Sequence, residues 1–75
     1  MTDHVIHHDP AVVAIVEREV RRALTEAADA IEAKCRETEA MRDAMQTPSA
    51  RAMFDQQAWA QEDAARIVRS RIPPP

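Results

Sequence analysis

The chain contains no glycine, and its five prolines stand only at position 10, at position 48 and in the final run Pro73–Pro75. Glycine and proline are the residues that most often interrupt regular structure, so two long stretches are left without a break. These stretches, residues 11–46 and 49–72, are rich in Ala, Glu, Arg, Met and Gln, which lose little on entering a helix. The sequence therefore predicts an all-α protein of two long helices.

Two proline-containing pairs mark the predicted helix boundaries. In Asp9-Pro10 the carboxylate suits the cap of a first turn, and proline suits the first helical position because its missing N–H has no partner there. In Thr47-Pro48 proline disfavours a helical threonine, and threonine is itself a good cap. We expect helix 1 at about 10–46 and helix 2 at about 48–71, within a hairpin domain of residues 10–72. A histidine-rich arm (1–9) precedes it and a proline tail (73–75) follows it.

The connection between the two helices is short, which normally joins antiparallel neighbours. We therefore expect Thr47-Pro48 to reverse the chain into an antiparallel helical hairpin. The alternative is a kinked rod, in which the second helix continues away from the first.

Apolar residues of the first helix recur in steps of three and four, which predicts one buried face. They are Val13, Val16, Val20, Leu24, Ala27, Ile31, Cys35, Thr38 and either Met41 or Met45. Several of them lie eleven positions apart, and an eleven-residue repeat favours nearly straight or slightly right-handed packing over a heptad coiled coil. On the second helix the predicted apolar face is Phe54, Ala58, Ala65, Val68 and Ile72. Trp59 projects away from that face.

The two predicted helices differ in length. At 1.5 Å per residue the first would be roughly 54 Å long and the second roughly 36 Å, so an antiparallel partner leaves the start of helix 1 uncovered. That start is the most aliphatic part of the chain and contains Val12, Val13, Val16 and Val20. A lone hairpin of this size also buries little apolar surface. We therefore expect a homo-oligomeric helical bundle held together by these valines.

Composition excludes several broad classes of protein. Ten basic and thirteen acidic residues give a formal net charge of −3, which argues against general nucleic-acid binding. The single cysteine, Cys35, rules out an intramolecular disulfide and favours a reducing compartment. We find neither a secretory signal pattern nor the roughly 18 apolar residues of a membrane span. The expectation is a soluble, cytoplasmic protein without membrane contact.

No residue pattern indicates catalysis or a cofactor. Cys35 falls on the apolar stripe, where a thiol behaves as a small hydrophobe. No glycine-rich loop exists to hold a phosphate, and neither serine has a base nearby in sequence. The histidines of the arm, His4, His7 and His8, are weak candidates for a metal site, and the arm is better interpreted as a flexible or partner-packed segment. We expect a protein that is not an enzyme.

Arginine is the residue type with the clearest binding potential. An antiparallel hairpin would gather six of them at its open end, namely Arg18, Arg21, Arg22, Arg66, Arg69 and Arg71. Guanidinium groups bind phosphate and carboxylate through paired donors, although helix-dipole compensation and pairing within the helix also explain basic residues here. Trp59 is a second candidate, because aromatic residues are enriched in interfaces, and it would pack either against a neighbouring subunit or against a different protein.

These patterns favour a small interaction protein that self-associates and binds another macromolecule, as an inhibitor or adaptor does. Its size and character suit a bacteriophage or mobile-element protein. One alternative is an oligomer that sequesters a nucleotide or another anionic ligand through the arginine cluster. A second alternative is a structural assembly subunit.

Overall fold

The computed structural model describes residues 9–74, which form two α-helices and no strand. Helix α1 spans Pro10–Ala44 and helix α2 spans Pro48–Ser70. α1 ends slightly earlier than the expected residue 46, because Met45 is already extended, with φ −75° and ψ 144°. No helix in this part of the chain is long and apolar enough to cross a membrane.

Both helices begin with the same capping arrangement. Asp9 Oδ1 accepts a hydrogen bond from the Ala11 amide at 2.9 Å, and Pro10 opens the first turn. Thr47 Oγ1 accepts from the Ala50 amide at 3.2 Å, and Pro48 opens the second helix. The two proline pairs thus start helices as the sequence predicts. The capping side chain accepts a hydrogen bond from one amide of the first turn, and proline has no N–H that would need a partner.

The two helices run antiparallel, as a hairpin. Arg42 Nη1 donates to Asp55 Oδ1 at 2.9 Å near the connection, and the Cys35 thiol donates to the Ala58 carbonyl at 3.3 Å further along. Arg69 Nε reaches Glu32 Oε2 at 2.7 Å near the far end of α2. As the residue numbers decrease along α1, the numbers of their partners in α2 increase. The helices are therefore antiparallel, which excludes the kinked rod.

The contact between α1 and α2 is narrow and lined by small residues. Its buried members are Ala28, Cys35 and Thr38 on α1, and Ala58 and Ala65 on α2. Half-buried neighbours flank them, including Leu24 and Ile31 on α1, Met45 just after α1, and Phe54, Gln61 and Val68 on α2. Small side chains allow the two backbones to approach closely, as the hydrogen bond from Cys35 to the Ala58 backbone shows.

The buried positions differ from the sequence-based stripe in one respect. Ala28 is buried, whereas Ala27 is exposed. Two methionines were candidates for the end of the stripe. Met45 is half-buried there, and Met41 is 51% exposed. Along α1 the contact residues therefore recur every seven positions rather than every eleven. The eleven-residue spacing combined two faces, since it joined the uncovered valines to the residues that contact α2.

α2 covers only part of α1. Every residue from 11 to 20 is exposed, and the first partly covered position is Arg21. Arg21 Nε and Nη2 donate to the carbonyl oxygens of Pro73 and Pro74, at 3.2 and 3.3 Å. Pro73 and Pro74 are therefore held against α1 at the first position of α1 that is partly covered.

Candidate functional site

The hairpin has two exposed sides of opposite character. In α1 the residues that directly follow buried or half-buried positions are mostly polar, and the same holds in α2. Asp29, Glu32 and Arg69 are three such residues, and they form ion pairs with one another across the helices. They therefore lie on one side, which we call the polar side. Successive residues of a helix are rotated by about 100° about its axis, so the residues that directly precede the buried positions lie on the opposite side of each helix. We call this second side the apolar side.

Arg69 holds the centre of the polar side. Its Nη2 donates to Asp29 Oδ1 and to Glu32 Oε1, both at 2.7 Å, and its Nε donates to Glu32 Oε2. The two parallel bonds to Glu32 match the planar geometry of the guanidinium group. The hydrogen bonds from Arg69 lower the pKa of the Glu32 carboxyl, and the two carboxylates raise the pKa of Arg69. Arg69 is therefore committed to residues of its own chain.

A surface depression of about 390 Å³ lies beside this ion pair. Its lining residues are Glu32, Trp59, Glu62, Asp63, Ala65, Arg66 and Arg69. Trp59 is one of these lining residues, and it is 69% exposed. Glu62 forms no ion pair with the described part of the chain, whereas Asp63 pairs with Arg66. The depression thus combines an exposed indole with a carboxylate that is available to a partner.

Four of the six arginines in the predicted cluster already have partners within the same chain. Three are paired with carboxylates of the same chain: Arg22 with Glu19, Arg66 with Asp63, and Arg69 with Glu32 and Asp29. Arg21 is engaged by backbone carbonyls of the tail. Arg18 and Arg71 make no ion pair with residues 9–74, and helical spacing places Arg71 on the apolar side, away from the others. Three of the six positive charges are therefore balanced by carboxylates of the same chain.

The apolar side runs along both helices. Its members on α1 are Val13, Val16, Val20, Ala23, Ala27, Ala30, Lys34, Glu37, Met41 and Ala44. Its members on α2 are Met53, Gln57, Ala60, Ala64 and Ile67, and Arg71 directly follows the last residue of α2. All of them are exposed, and the exposed fraction reaches 72% at Met53. This side of the hairpin is therefore an uncovered strip of small and aliphatic side chains with few charges.

The first part of α1, residues 11–20, is the most exposed aliphatic region and is called the valine segment below. Its five large side chains, Val12, Val13, Ile15, Val16 and Val20, are between 40% and 54% exposed. Residues 11–16 are apolar without interruption, so this part of the helix is apolar on all its faces. A helix of that kind is normally enclosed by neighbours rather than solvated.

Cys35 lies at the contact between the helices, as expected of a core thiol. It is buried, and its thiol donates to the Ala58 carbonyl. Burial raises the pKa of the thiol, and the nearby carboxylates of Glu39 and Glu62 add to this effect. A thiol with a raised pKa in a closed contact is a poor nucleophile.

Within residues 9–74 no group of histidine, cysteine and acidic side chains is arranged to hold a metal ion. The weak metal candidates His4, His7 and His8 lie outside the described residues. Two pairs of carboxylates each share an arginine: Asp29 and Glu32 share Arg69, and Asp43 and Asp55 share Arg42.

The structure places two methionines outside the contact between the helices, and it brings forward Gln61, which sequence reasoning missed. Met41 and Met53 are exposed on the apolar side, at the end of the hairpin opposite the valine segment. Gln61 faces α1, and its Oε1 is buried without a hydrogen-bond partner in the described part of the chain. A seven-residue spacing applied to both helices finds all three, because it separates the contact between the helices from the apolar side.

Comparison with known proteins identifies no relative: no protein-family model, curated protein or solved structure matches this chain.

Proposed function

We propose that this chain is a small, non-enzymatic interaction protein that self-associates through its valine segment and binds another macromolecule through its polar side. The exposure of the valine segment carries the proposal. Five large aliphatic side chains in one ten-residue stretch are at least 40% exposed, and α2 ends before it reaches them. Exposed apolar patches of this kind mark interaction sites in soluble proteins.

The polar side supports the second half of the proposal. Trp59 is the largest side chain of the molecule, and it is 69% exposed beside an open depression. Tryptophan is among the residues that most often dominate the energy of protein interfaces. An inhibitor or adaptor needs such a surface and no catalytic group.

The anion-sequestering alternative has weaker support. Four of its six arginines are already engaged by carboxylates or carbonyls of the same chain. An anionic ligand would have to displace these contacts. We therefore favour a macromolecular partner over a nucleotide or another small anion.

The experiment is a measurement of molar mass by light scattering over a range of protein concentrations. We expect the wild-type chain to be an oligomer and the double variant Val16→Glu/Val20→Glu to be a monomer or unfolded. The matched control is Ala33→Glu/Ala40→Glu, which adds the same charge on the face of α1 opposite α2, and it should keep the wild-type mass. A wild-type monomer at high concentration, or a valine variant with unchanged mass and melting, would refute self-association through this segment.

A further inference from the structure

We propose that the valine segment of each copy lies in the groove between α1 and α2 of a second copy, antiparallel to that copy's α1, on the apolar side. This inference rests on the self-association proposed above and specifies its geometry. The occupant is a second copy of this chain. Each copy would supply both a segment and a groove, as a closed two-fold dimer requires.

The first argument is the position of the exposed methionines. Met41 and Met53 are 51% and 72% exposed, and both belong to the apolar side. They lie level with each other, because Met41 precedes Arg42, Met53 lies just before Asp55, and Arg42 pairs with Asp55. They therefore line the two edges of the groove near the connection. Methionine adapts well to an incoming apolar surface.

The second argument is helix length. The midpoint of α1 is Ala27, so an antiparallel pair of α1 helices that overlaps completely is centred there. In that overlap Val13 of one copy lies level with the partner's Met41. A parallel dimer would instead leave both valine segments at the same end, where neither copy has an α2 to enclose them. Full antiparallel overlap encloses each valine segment between two helices of the other copy.

The third argument is the available area. A helix is roughly 10 Å wide, so α1 presents about 500 Å² along its length of about 52 Å. α2, about 35 Å long, adds about 350 Å². The total of about 850 Å² per copy reaches the roughly 800 Å² that each partner contributes to a standard stable interface.

The fourth argument is charge. Lys34 is one of the few charged residues on the apolar side, and neither Lys34 nor Glu17 forms an ion pair within residues 9–74. Overlap centred on Ala27 brings Lys34 within about one helical turn of the partner's Glu17. One of the charges that interrupt the apolar side therefore meets an opposite charge in this register.

The test uses spin labels on single cysteines at positions 26, 33 and 40, in the Cys35→Ala background. These positions are exposed on the face of α1 opposite α2, so the labels leave the proposed interface intact. Overlap centred on Ala27 separates the two copies' labels along the helix axis by about 3, 18 and 39 Å in that order. Dipolar electron spin resonance should therefore give distances that increase from 26 to 40. Equal distances at all three positions would establish a parallel dimer and overturn the proposal.

A second variant separates this proposal from self-association in general. Met53→Glu changes α2, far from the valine segment of its own copy, and should weaken the dimer at least tenfold. Gln56→Glu, an exposed neighbour on the same helix, is the control and should leave the dissociation constant unchanged. If Met53→Glu dimerises like the wild type while Val16→Glu/Val20→Glu does not, self-association stands and the groove is wrong. If the wild type never dimerises, both proposals fail.

Discussion

The thiol of Cys35 donates a hydrogen bond to the backbone carbonyl of Ala58 across the two helices, at 3.3 Å. A side chain of one helix reaches the main chain of the other only where the helices pack very closely. The other buried residues of this contact, Ala28, Thr38, Ala58 and Ala65, are all small. The stability of the hairpin therefore depends on the absence of large side chains from this line.

Enlarging Cys35 should destabilise the hairpin. Cys35→Leu adds volume where the helices touch, and overpacking of this kind costs about 1–3 kcal/mol. Ala33→Leu, on the exposed opposite face, is the control and should change the free energy of unfolding by less than about 0.5 kcal/mol. Urea unfolding followed by circular dichroism measures both. Equal stability of Cys35→Leu and the wild type would show that the contact is looser than described.

The pairing of Arg69 with Glu32 predicts a pH dependence of stability. Because Arg69 lowers the pKa of Glu32 from its ordinary 4.5, the folded state favours the ionised carboxylate. This contribution is complete above the ordinary pKa and is lost as the pH falls through the lowered one. The melting temperature should therefore drop between about pH 5 and about pH 3, and Glu32→Gln should reduce that drop. The control Glu26→Gln removes a carboxylate outside the described ion pairs, and its profile should follow the wild type.

Removal of the buried amide of Gln61 should stabilise the protein. Its Oε1 is buried without a partner among the described residues, and an unsatisfied buried polar group costs about 1–3 kcal/mol. Gln61→Met keeps the length of the side chain without that acceptor, and we expect it to raise the free energy of unfolding by about 1 kcal/mol. Gln56→Met, at an exposed position of the same helix outside the apolar side, should not. A loss of stability in Gln61→Met would mean that the amide contributes favourably.

Trp59 should remain in contact with water when the chains self-associate, because it lies on the polar side. Acrylamide should quench its fluorescence equally in dilute and concentrated samples. For comparison, Ile67→Trp in a Trp59→Phe background places the indole on the apolar side, where it should become protected as the concentration rises. Protection of Trp59 itself would instead place it between copies and leave the polar side without its main candidate for partner recognition.

Much of the fold is predictable from local sequence. The absence of glycine, the two proline pairs and the helix-forming composition predict two helices, and both caps form from the residues expected, Asp9 and Thr47. The exposure of the valine segment also follows from the sequence, since it depends only on the unequal lengths of the two helices.

The interaction surfaces were less predictable, because they depend on which residues of α1 face α2. The apolar residues of α1 form two adjacent lines, and the sequence pattern alone joined them into one stripe through Ala27. Only the packing of α2 separates them, since it encloses Ala28 at the contact and leaves Ala27, a side chain of the same size, on the apolar side. The same separation identifies Met41, Met53 and Gln61.

The sequence by itself determined the helices, their caps and the bare start of α1, because these follow from backbone propensities and chain length. The tertiary structure decided how the charges are used. Six arginines near one end of a hairpin look like an anion site in the sequence, yet Arg69 is directed to Glu32 and Asp29 and Arg21 to the carbonyls of the tail. Such pairings join residues far apart in the chain, so they depend on the register of one helix against the other, which no local pattern encodes.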